Sequence, residues 1–392
     1  MQNLYETKTL ALTASNSLKF STKIWKTLTK WLHAKKEYKP EYLSEPEVKD
    51  AIGETHRILS EPLNNLSIAQ EIPAELTAVL DNNIFYFSGF KTHHSLVEAS
   101  QLLKDEDGNF KPFNRFLKDI ATIDNTYNGN YLQAEYNFAE ASAQMAVKWQ
   151  EWKEDGDQYD LQYRTAGDSR VRDEHAALNG TTLPPSDPFW KQYLPPNGWN
   201  CRCDVDRVRK GKYPKSNSER AIARGDAMTA PLKKQIFRFN PGAQEKIFPP
   251  KHPYYKAPEA VKQTLDKIKN NERLKELKKW ALGNLRGEIV EHPELEKIIT
   301  FSRRGIDEYL NQPLHEFYYE KNELIKDMKN ILLNSDYKGV TEYKGKKSHI
   351  FEINIDNVPH WIIANENNAG SIIFYSITNG DKVLTDIKKI AN

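Results

Sequence analysis

YRTAGDSRVRDEHAALNGTTLPPSDPFWKQYLPPNGWNCRCDV, residues 163–205, is the part of this sequence densest in residues that either fix a backbone or bind something. Gly167, Gly180 and Gly198 supply unusual dihedrals, and the pairs Pro184-Pro185 and Pro195-Pro196 stiffen the connections. Trp190 and Trp199 are large anchors. Asp168, Arg170, Arg172, His175, Cys201 and Cys203 form a polar set that includes both cysteines of the chain. A loop that is merely solvated does not need this vocabulary, so the stretch predicts short strands and ordered loops in a module of its own.

Upstream of it the periodicity is helical. Between Tyr127 and Trp152, the residues Tyr131, Ala134, Phe138, Ala141, Met145 and Trp149 recur at three- and four-residue intervals, which places them on one buried stripe. Helical spacing also covers Thr22–Trp31, Glu47–Leu63, Ser95–Leu103 and Phe113–Ile123, with Pro46 placed to start a helix after Ser44. Ile84–Phe87 reads instead as a short β-prone run closed by a Ser88-Gly89 turn. Downstream of Glu154, Leu161–Tyr163 and Val205–Val208 read as strands. Lys233–Pro250, punctuated by Pro and Gly, reads as an extended arm, and Pro258–Leu285 as a charged helical connector with i,i+4 pairs.

The final hundred residues have a different texture. Ile306–Tyr319 and Glu323–Leu333 are helical patterns, and Ile350–Ile355, His360–Ala364 and Ser371–Ile377 are β-branched and aromatic runs between Asn, Gly and Asp turns. Helices followed by strands imply a small α+β domain with an antiparallel sheet. The expected fold class is therefore multidomain α+β: a mainly helical N-terminal half, a Gly/Pro/Trp-rich module, a helical connector and a C-terminal α+β domain.

Composition narrows the class. At 392 residues the chain is too long for one ordinary core. Hydrophobic residues at 39% argue against wholesale disorder, and a net charge of +2 does not advertise a protein that coats nucleic acid. No window approaches the ~20 consecutive apolar residues of a membrane-spanning helix. The first residues, MQNLYETKTLALTASNSLKF, lack the basic start and apolar core of a secretory signal. Two cysteines exclude a disulfide-built scaffold, and a Cys201–Cys203 bond would close a strained ring, which leaves free thiols or metal ligation.

His175, Cys201 and Cys203 are residue types zinc prefers, and Asp168 or Asp173 could complete four ligands. Against that stands a plain structural reading, with both cysteines as small buried hydrophobes and His175 as a hydrogen-bonded core histidine. A catalytic zinc is not expected, because nothing nearby offers a clear general base.

The quoted stretch, together with Asn83–Lys91 (NIFYFSGFK), Phe113–Ala121 and Tyr127–Trp152, resembles the phage Mu F-like minor head proteins, also described as the SPP1-type head morphogenesis family. The likeness spans about Glu47 to Pro250. Other branches of that family carry a Cys-x-x-Cys and a His-Pro-x-Cys-Arg-Cys ending. Here Arg172 and His175 stand at the first pair and Gly198 at the later His. The resemblance implies a phage or prophage minor capsid protein needed for head assembly. Its implied partners are portal and coat or scaffold proteins. It would be made in the bacterial cytoplasm and end in the virion, in the capsid interior or at the portal. It implies no enzymatic activity by itself.

Residues from about Glu291 onward carry a second resemblance. The Thr300–Gly305 opening (TFSRRG), the His-x5-Lys spacing of His315 and Lys321, and the closing strand Tyr375–Thr378 (YSIT) look like phage-associated nuclease domains grouped with barnase, EndoU, colicin and RelE toxins. The implied activity is metal-independent RNA cleavage, with no cofactor, host RNA or transfer RNA as substrate, and an immunity protein as partner.

Such cleavage needs a base for the ribose 2′-OH, an acid for the departing 5′-oxygen, and donors to hold the phosphorane. His315, His349 and His360 are candidate acid/base groups, and Arg303, Arg304 and Lys321 candidate phosphate holders. Because alternate strand residues face opposite ways, Tyr375 and Ile377 share one face and Ser376 and Thr378 the other, and Thr378 is the better positioning donor. The selected set is His315 and His349 in acid/base roles, Lys321 and Arg303 on phosphate, and Thr378.

Plainer readings stay open. Lys321 falls in a charged helix start where lysines are usually solvated, and His360 alternates with an apolar strand. The segment 291–392 holds 13 Lys/Arg against 16 Asp/Glu, a net −3, which is unlike a polyanion-cleaving domain. An inactive relative kept as a binding module is the alternative. An ADP-ribosyltransferase tail is discounted because no Ser-Thr-Ser strand is present. The expected domains are residues 1–46 as an extension, 47–250 as the Mu F-like domain, 251–290 as the connector and 291–392 as the nuclease-like domain.

Overall fold

In a computed structural model the chain forms two compact units, residues 1–265 and 266–392. The structure describes residues 18–69, 72–295, 297–314, 317–343, 346–384 and 387.

The first unit begins as a helical assembly. Its helices are α1 (Thr22–Lys35), α2 (Pro46–Ala69), α3 (Ala74–Gln101), α4 (Phe113–Asp119), α5 (Ala121–Asp124) and α6 (Leu132–Asp155), and a π-helical turn, Asn125–Tyr131, leads into α6. The Ser21 hydroxyl accepts from the Ile24 N–H and caps α1, and Lys36, at φ 62°, ends it. Of the expected α6 stripe, Tyr131, Ala134, Phe138, Met145 and Trp149 are buried and Ala141 is half-buried.

Ile84–Phe87 is a correction. It lies in the middle of α3, not in a strand, because Leu76, Leu80, Ile84, Phe87 and Lys91 follow a helical period and all are buried. Gly89 makes no turn. It admits the side chain of Leu265, which a Cβ there would overlap.

The region after α6 is the predicted loop-rich module. It contains β1 (Tyr159–Arg164), α7 (Asp173–Ala176), β2 (Thr182–Leu183), α8 (Pro188–Tyr193), β3 (Asp204–Arg209), α9 (Ser218–Met228) and α10 (Pro241–Gln244). The strands form one antiparallel sheet in the order β2-β1-β3, with Leu161 opposite Leu183 and Tyr163 opposite Val205. Met145, Trp149 and Trp152 of α6 bury against Leu161, Tyr163, Trp190 and Tyr193 in one cluster. Fully burying side chains of this size contributes about 1.5–3 kcal/mol each.

The expected extended arm is a second correction. Leu232–Phe237 is a 3-10 turn, and Ile236, Phe237, Phe239, Ile247 and Phe248 are buried. Phe248 stacks on Phe87 of α3 with ring centroids 3.6 Å apart. Apolar residues spaced among Pro and Gly here coat a core rather than span open solvent.

The charged helix α11 (Glu259–Asn284) buries Val261 and Leu265 in the first unit and gives Leu277 and Ala281 to the core of the second. The second unit continues with β4 (Ile289–Val290), β5 (Ile299–Thr300), α12 (Arg303–Asn311), α13 (Tyr318–Glu323), α14 (Met328–Leu333), β6 (Asp336–Tyr343), β7 (Lys346–Ile355), β8 (Val358–Glu366) and β9 (Ile372–Thr378). The helix predicted over Ile306–Tyr319 stops at Asn311, where Gln312 precedes Pro313 and turns extended.

The sheet order is β4-β5-β9-β8-β7-β6. It is mixed, not antiparallel throughout, because β5 runs parallel to β9 with Ile299 opposite Ile372. One face carries Phe351, Ile353 and Ile355 of β7, Ile362 and Ala364 of β8, and Phe374 and Ile377 of β9, and α12 packs over it through Ile306, Tyr309 and Leu310. Gly305 lies directly on the β9 backbone, where a Cβ would fall inside the carbonyl oxygen of Phe374. The chain is thus a multidomain α+β protein with a helical N-terminal half and a C-terminal mixed sheet.

Candidate functional site

The polar set of the quoted stretch converges. Trp199 and Asn200 form a turn closed by the Cys201 N–H donating to the Gly198 carbonyl at 3.1 Å, and Asn200 takes a left-handed φ of 55°. The chain then runs extended into β3, so Cys201 and Cys203 project to one side and Arg202 to the other. Arg202 donates to both carboxylate oxygens of Asp168 at 2.8 and 2.6 Å. That guanidinium holds the Asp168 carboxyl well below the usual carboxylate range.

On the opposite side, α7 presents His175, which is buried. Its Nδ1 lies 3.6 Å from Cys201 Sγ and 3.5 Å from Cys203 Sγ. The three ligand atoms all lie within 4.8 Å of one another. The Cys203 thiol and the His175 imidazole hold the Cys201 thiol well below its usual range, while the Cys201 sulfur and burial push Cys203 up.

Neither expected fourth ligand joins. Asp168 is held by Arg202, Asp173 is exposed on α7, and among the described residues no further His, Cys, Asp or Glu belongs to the group. Arg172 frames the other edge of the ring. Its Nη2 donates to the Trp199 carbonyl at 2.7 Å, and its Nη1 lies 3.5 Å from His175 Nε2. Behind the cluster, the Tyr163 hydroxyl donates to Asn197 Oδ1 at 2.9 Å.

Of the five residues selected in the second unit, the four that are described do not assemble in this way. His315 lies outside the described residues. Arg303 is exposed at the start of α12, in a depression shared with Arg304, Asp307, Glu308 and Asn311. Lys321 is wholly buried rather than solvated. Its Nζ donates to the Tyr309 carbonyl, and the Tyr309 hydroxyl donates back to the Lys321 carbonyl. Burial away from water lowers the Lys321 ammonium to about 7.

His349 pairs across to Ala364 and thence to Phe374, on the face that α12 covers. Thr378 pairs with Trp361, next to Ile362 of that covered face, so Thr378 emerges on the opposite face of the sheet. No hydrogen bond or ion pair joins any two of Arg303, Lys321, His349 and Thr378. His360 is buried against Phe317, with its Nδ1 2.8 Å from the Val358 carbonyl.

What does surround His349 was not foreseen. The Tyr337 hydroxyl sits 2.9 Å from its Nδ1, Glu366 Oε2 lies 3.7 Å from its Nε2, and Lys297 donates to Glu366 at 2.7 Å. Burial lowers the His349 imidazole, an effect that Glu366 opposes, and burial raises Tyr337 to about 12. Cross-strand pairing on β6, β7 and β8 makes this chain of groups, and a pairing register is not readable from one strand's composition. A second unforeseen pair is Lys91 with Glu135, an ion pair buried between α3 and α6. Lys91 occupies the next position of the apolar stripe of α3, which is the signal that could have found it.

The chain matches two protein families. Residues 109–206 match the family described as Phage Mu protein F like protein, and residues 269–375 match large polyvalent protein-associated domain 3. Among relatives, "Putative capsid assembly protein F" of Escherichia phage Mu is 34% identical over 109 residues, which cover 27% of this chain and 22% of that protein. The Mu-like prophage FluMu F protein of Haemophilus influenzae is 44% identical over 46 residues, 12% of this chain and 11% of the relative. The chain therefore spans about a fifth or less of the length of these relatives. No solved structure matches it. The first family match runs from before α4 into β3 and takes in α6, His175, Cys201 and Cys203; the chain is thus similar to the Mu F-like proteins over a segment of its first unit, and to large polyvalent protein-associated domain 3 over most of the second.

Proposed function

We propose that this chain works in the assembly of a phage or prophage head, against portal and coat or scaffold subunits, beginning in the bacterial cytoplasm and ending in the particle. The observation that carries this reading is the 34% identity over 109 residues to "Putative capsid assembly protein F" of Escherichia phage Mu. The family match over residues 109–206 takes in the α6 stripe and the ordered loops packed on it, so what is alike there is a folded module and not a linker. No helix among the described residues is long and apolar enough to cross a membrane. The test is the protein content of gradient-purified particles from a producing strain. The chain is expected among the particle proteins, and Trp190→Ala is expected to reduce the yield of filled heads. Particles that lack the chain, with normal yield in the variant, would remove the assembly reading.

The second unit is proposed as a passenger module, with endoribonuclease activity as the function to be tested. Its support is the neighbourhood of His349, a buried imidazole with the Tyr337 hydroxyl 2.9 Å from its Nδ1 and the Glu366 carboxylate 3.7 Å from its Nε2, groups of the kind that tune an acid/base residue. Arg303, exposed within the TFSRRG opening, is the proposed phosphate holder, with His315 as the second acid/base group. The burial of Lys321 and the opposite-face position of Thr378 favour the alternative, an inactive binding module. Full-length chain incubated with total RNA decides between them. Chelator-insensitive cleavage that leaves cyclic phosphate ends, lost in His349→Ala, supports the nuclease. Intact RNA supports the binding module.

A further inference from the structure

We propose that His175 Nδ1, Cys201 Sγ and Cys203 Sγ are three ligands of a bound zinc ion, with solvent as the fourth. Two thiols approach the same imidazole nitrogen at 3.6 and 3.5 Å. A ring nitrogen has one in-plane direction, bearing either a proton or a lone pair, and so serves one good hydrogen bond. A single ion between the three atoms satisfies both sulfurs at once.

The distances agree with that arrangement. With Zn–S near 2.3 Å and Zn–N near 2.0 Å, a tetrahedral centre puts N and S about 3.5 Å apart. Both N···S separations match that edge, and the whole triangle fits within 4.8 Å. The donor set, two thiolates and a neutral imidazole, is one that zinc prefers over harder cations.

The local chain is also built to hold the three groups. The turn at Gly198–Cys201 and the extended step to Cys203 put both sulfurs on one side, and Arg202 is tied away to Asp168. His175 comes from a helix of only four residues, and the sheet beside it has three strands, one of them two residues long. A module with so little regular structure gains most from a cross-link between its loops, as small domains commonly do. Both cysteines are part-exposed, and among the described residues no fourth His, Cys, Asp or Glu joins the three, which leaves the fourth position to solvent. The Asp168 and Asp173 carboxylates are excluded from it by the arrangement already described. The inference stands whether or not the chain assembles heads.

The experiment is metal analysis of the full chain purified without chelator, followed by replacement of zinc with cobalt. About one zinc per chain is expected, falling below about a tenth in Cys201→Ser and in Cys203→Ser. Because a variant could lose its fold, the wild-type protein supplies the second readout. Its cobalt form is expected to show the thiolate-to-cobalt charge-transfer band and the intense visible bands of a tetrahedral centre. Chelation of the wild-type protein is expected to speed reaction of both thiols with a disulfide reagent many-fold. Less than half an equivalent of metal, thiols equally reactive with and without chelator, or a cobalt spectrum without sulfur charge transfer would each overturn the proposal.

Discussion

The polar cluster of the first unit closes on itself, while the one expected in the second comes apart. His175 and the two cysteines, 26 and 28 residues apart in sequence, meet within hydrogen-bonding range. Arg303, Lys321, His349 and Thr378 are divided between a helix surface, a buried core and two faces of one sheet. The difference lies in what the sequence constrains. Glycines, prolines and a left-handed Asn200 leave the first loop few ways to run. A strand residue's destination depends on its register with neighbours, which composition does not encode.

The largest effect is expected where backbones touch. Gly305→Val drives a side chain into the Phe374 carbonyl and should cost more than about 3 kcal/mol, melting the second unit while leaving amide protection in the first intact. Retained protection in the second unit would mean that α12 does not lie on β9 as described. Glu135→Ala should reverse the pattern, destabilising the first unit by about 3–5 kcal/mol, because Lys91 is left charged and buried. Differential scanning calorimetry of the two variants would separate the units if each moves its own transition.

Lys321 sharpens the contrast through pH. Its folded value is about 7, below the usual 10.5, so the cost of keeping it buried is fully present below pH 7 and is relieved as pH rises toward 10. In that window the unfolded chain binds more protons than the folded one. Stability of the second unit should therefore rise with pH, by up to about 4 kcal/mol. Lys321→Met should abolish the rise and stabilise the unit at pH 7, since the Tyr309 carbonyl keeps the Gln312 N–H. A flat profile in the wild-type protein would return Lys321 to solvent and to the phosphate-holding role. The smallest effect is expected at the surface: Arg202→Ala should change global stability by less than about 1 kcal/mol, because its pair with Asp168 is part-exposed.

Much of the first unit was legible because its signals agree with one another. The α6 stripe, the Pro46 helix start and the loop-rich module follow from spacing and backbone chemistry. Ile84–Phe87 failed because four consecutive apolar residues fit either a strand or a buried helix, and only the longer stripe from Leu76 to Lys91 decides between them. In the second unit β7, β8 and β9 were readable as β-branched runs. Strand β6 (DYKGVTEY) was not, since as an edge strand it needs little apolar alternation. The residue types of the His-Cys-Cys cluster announced themselves. The lack of a fourth side-chain ligand did not, because Asp168 is claimed by an arginine whose direction only the folded loop sets.

The parallel pairing of β5 with β9 has a consequence for synthesis. Ile299 must wait for Ile372, so on the ribosome the second sheet stays open until β9 has left the exit tunnel. The first unit, all of which precedes residue 266, can by then have closed. Nascent chains stalled just before β9 would display a folded leading half and a protease-sensitive trailing one.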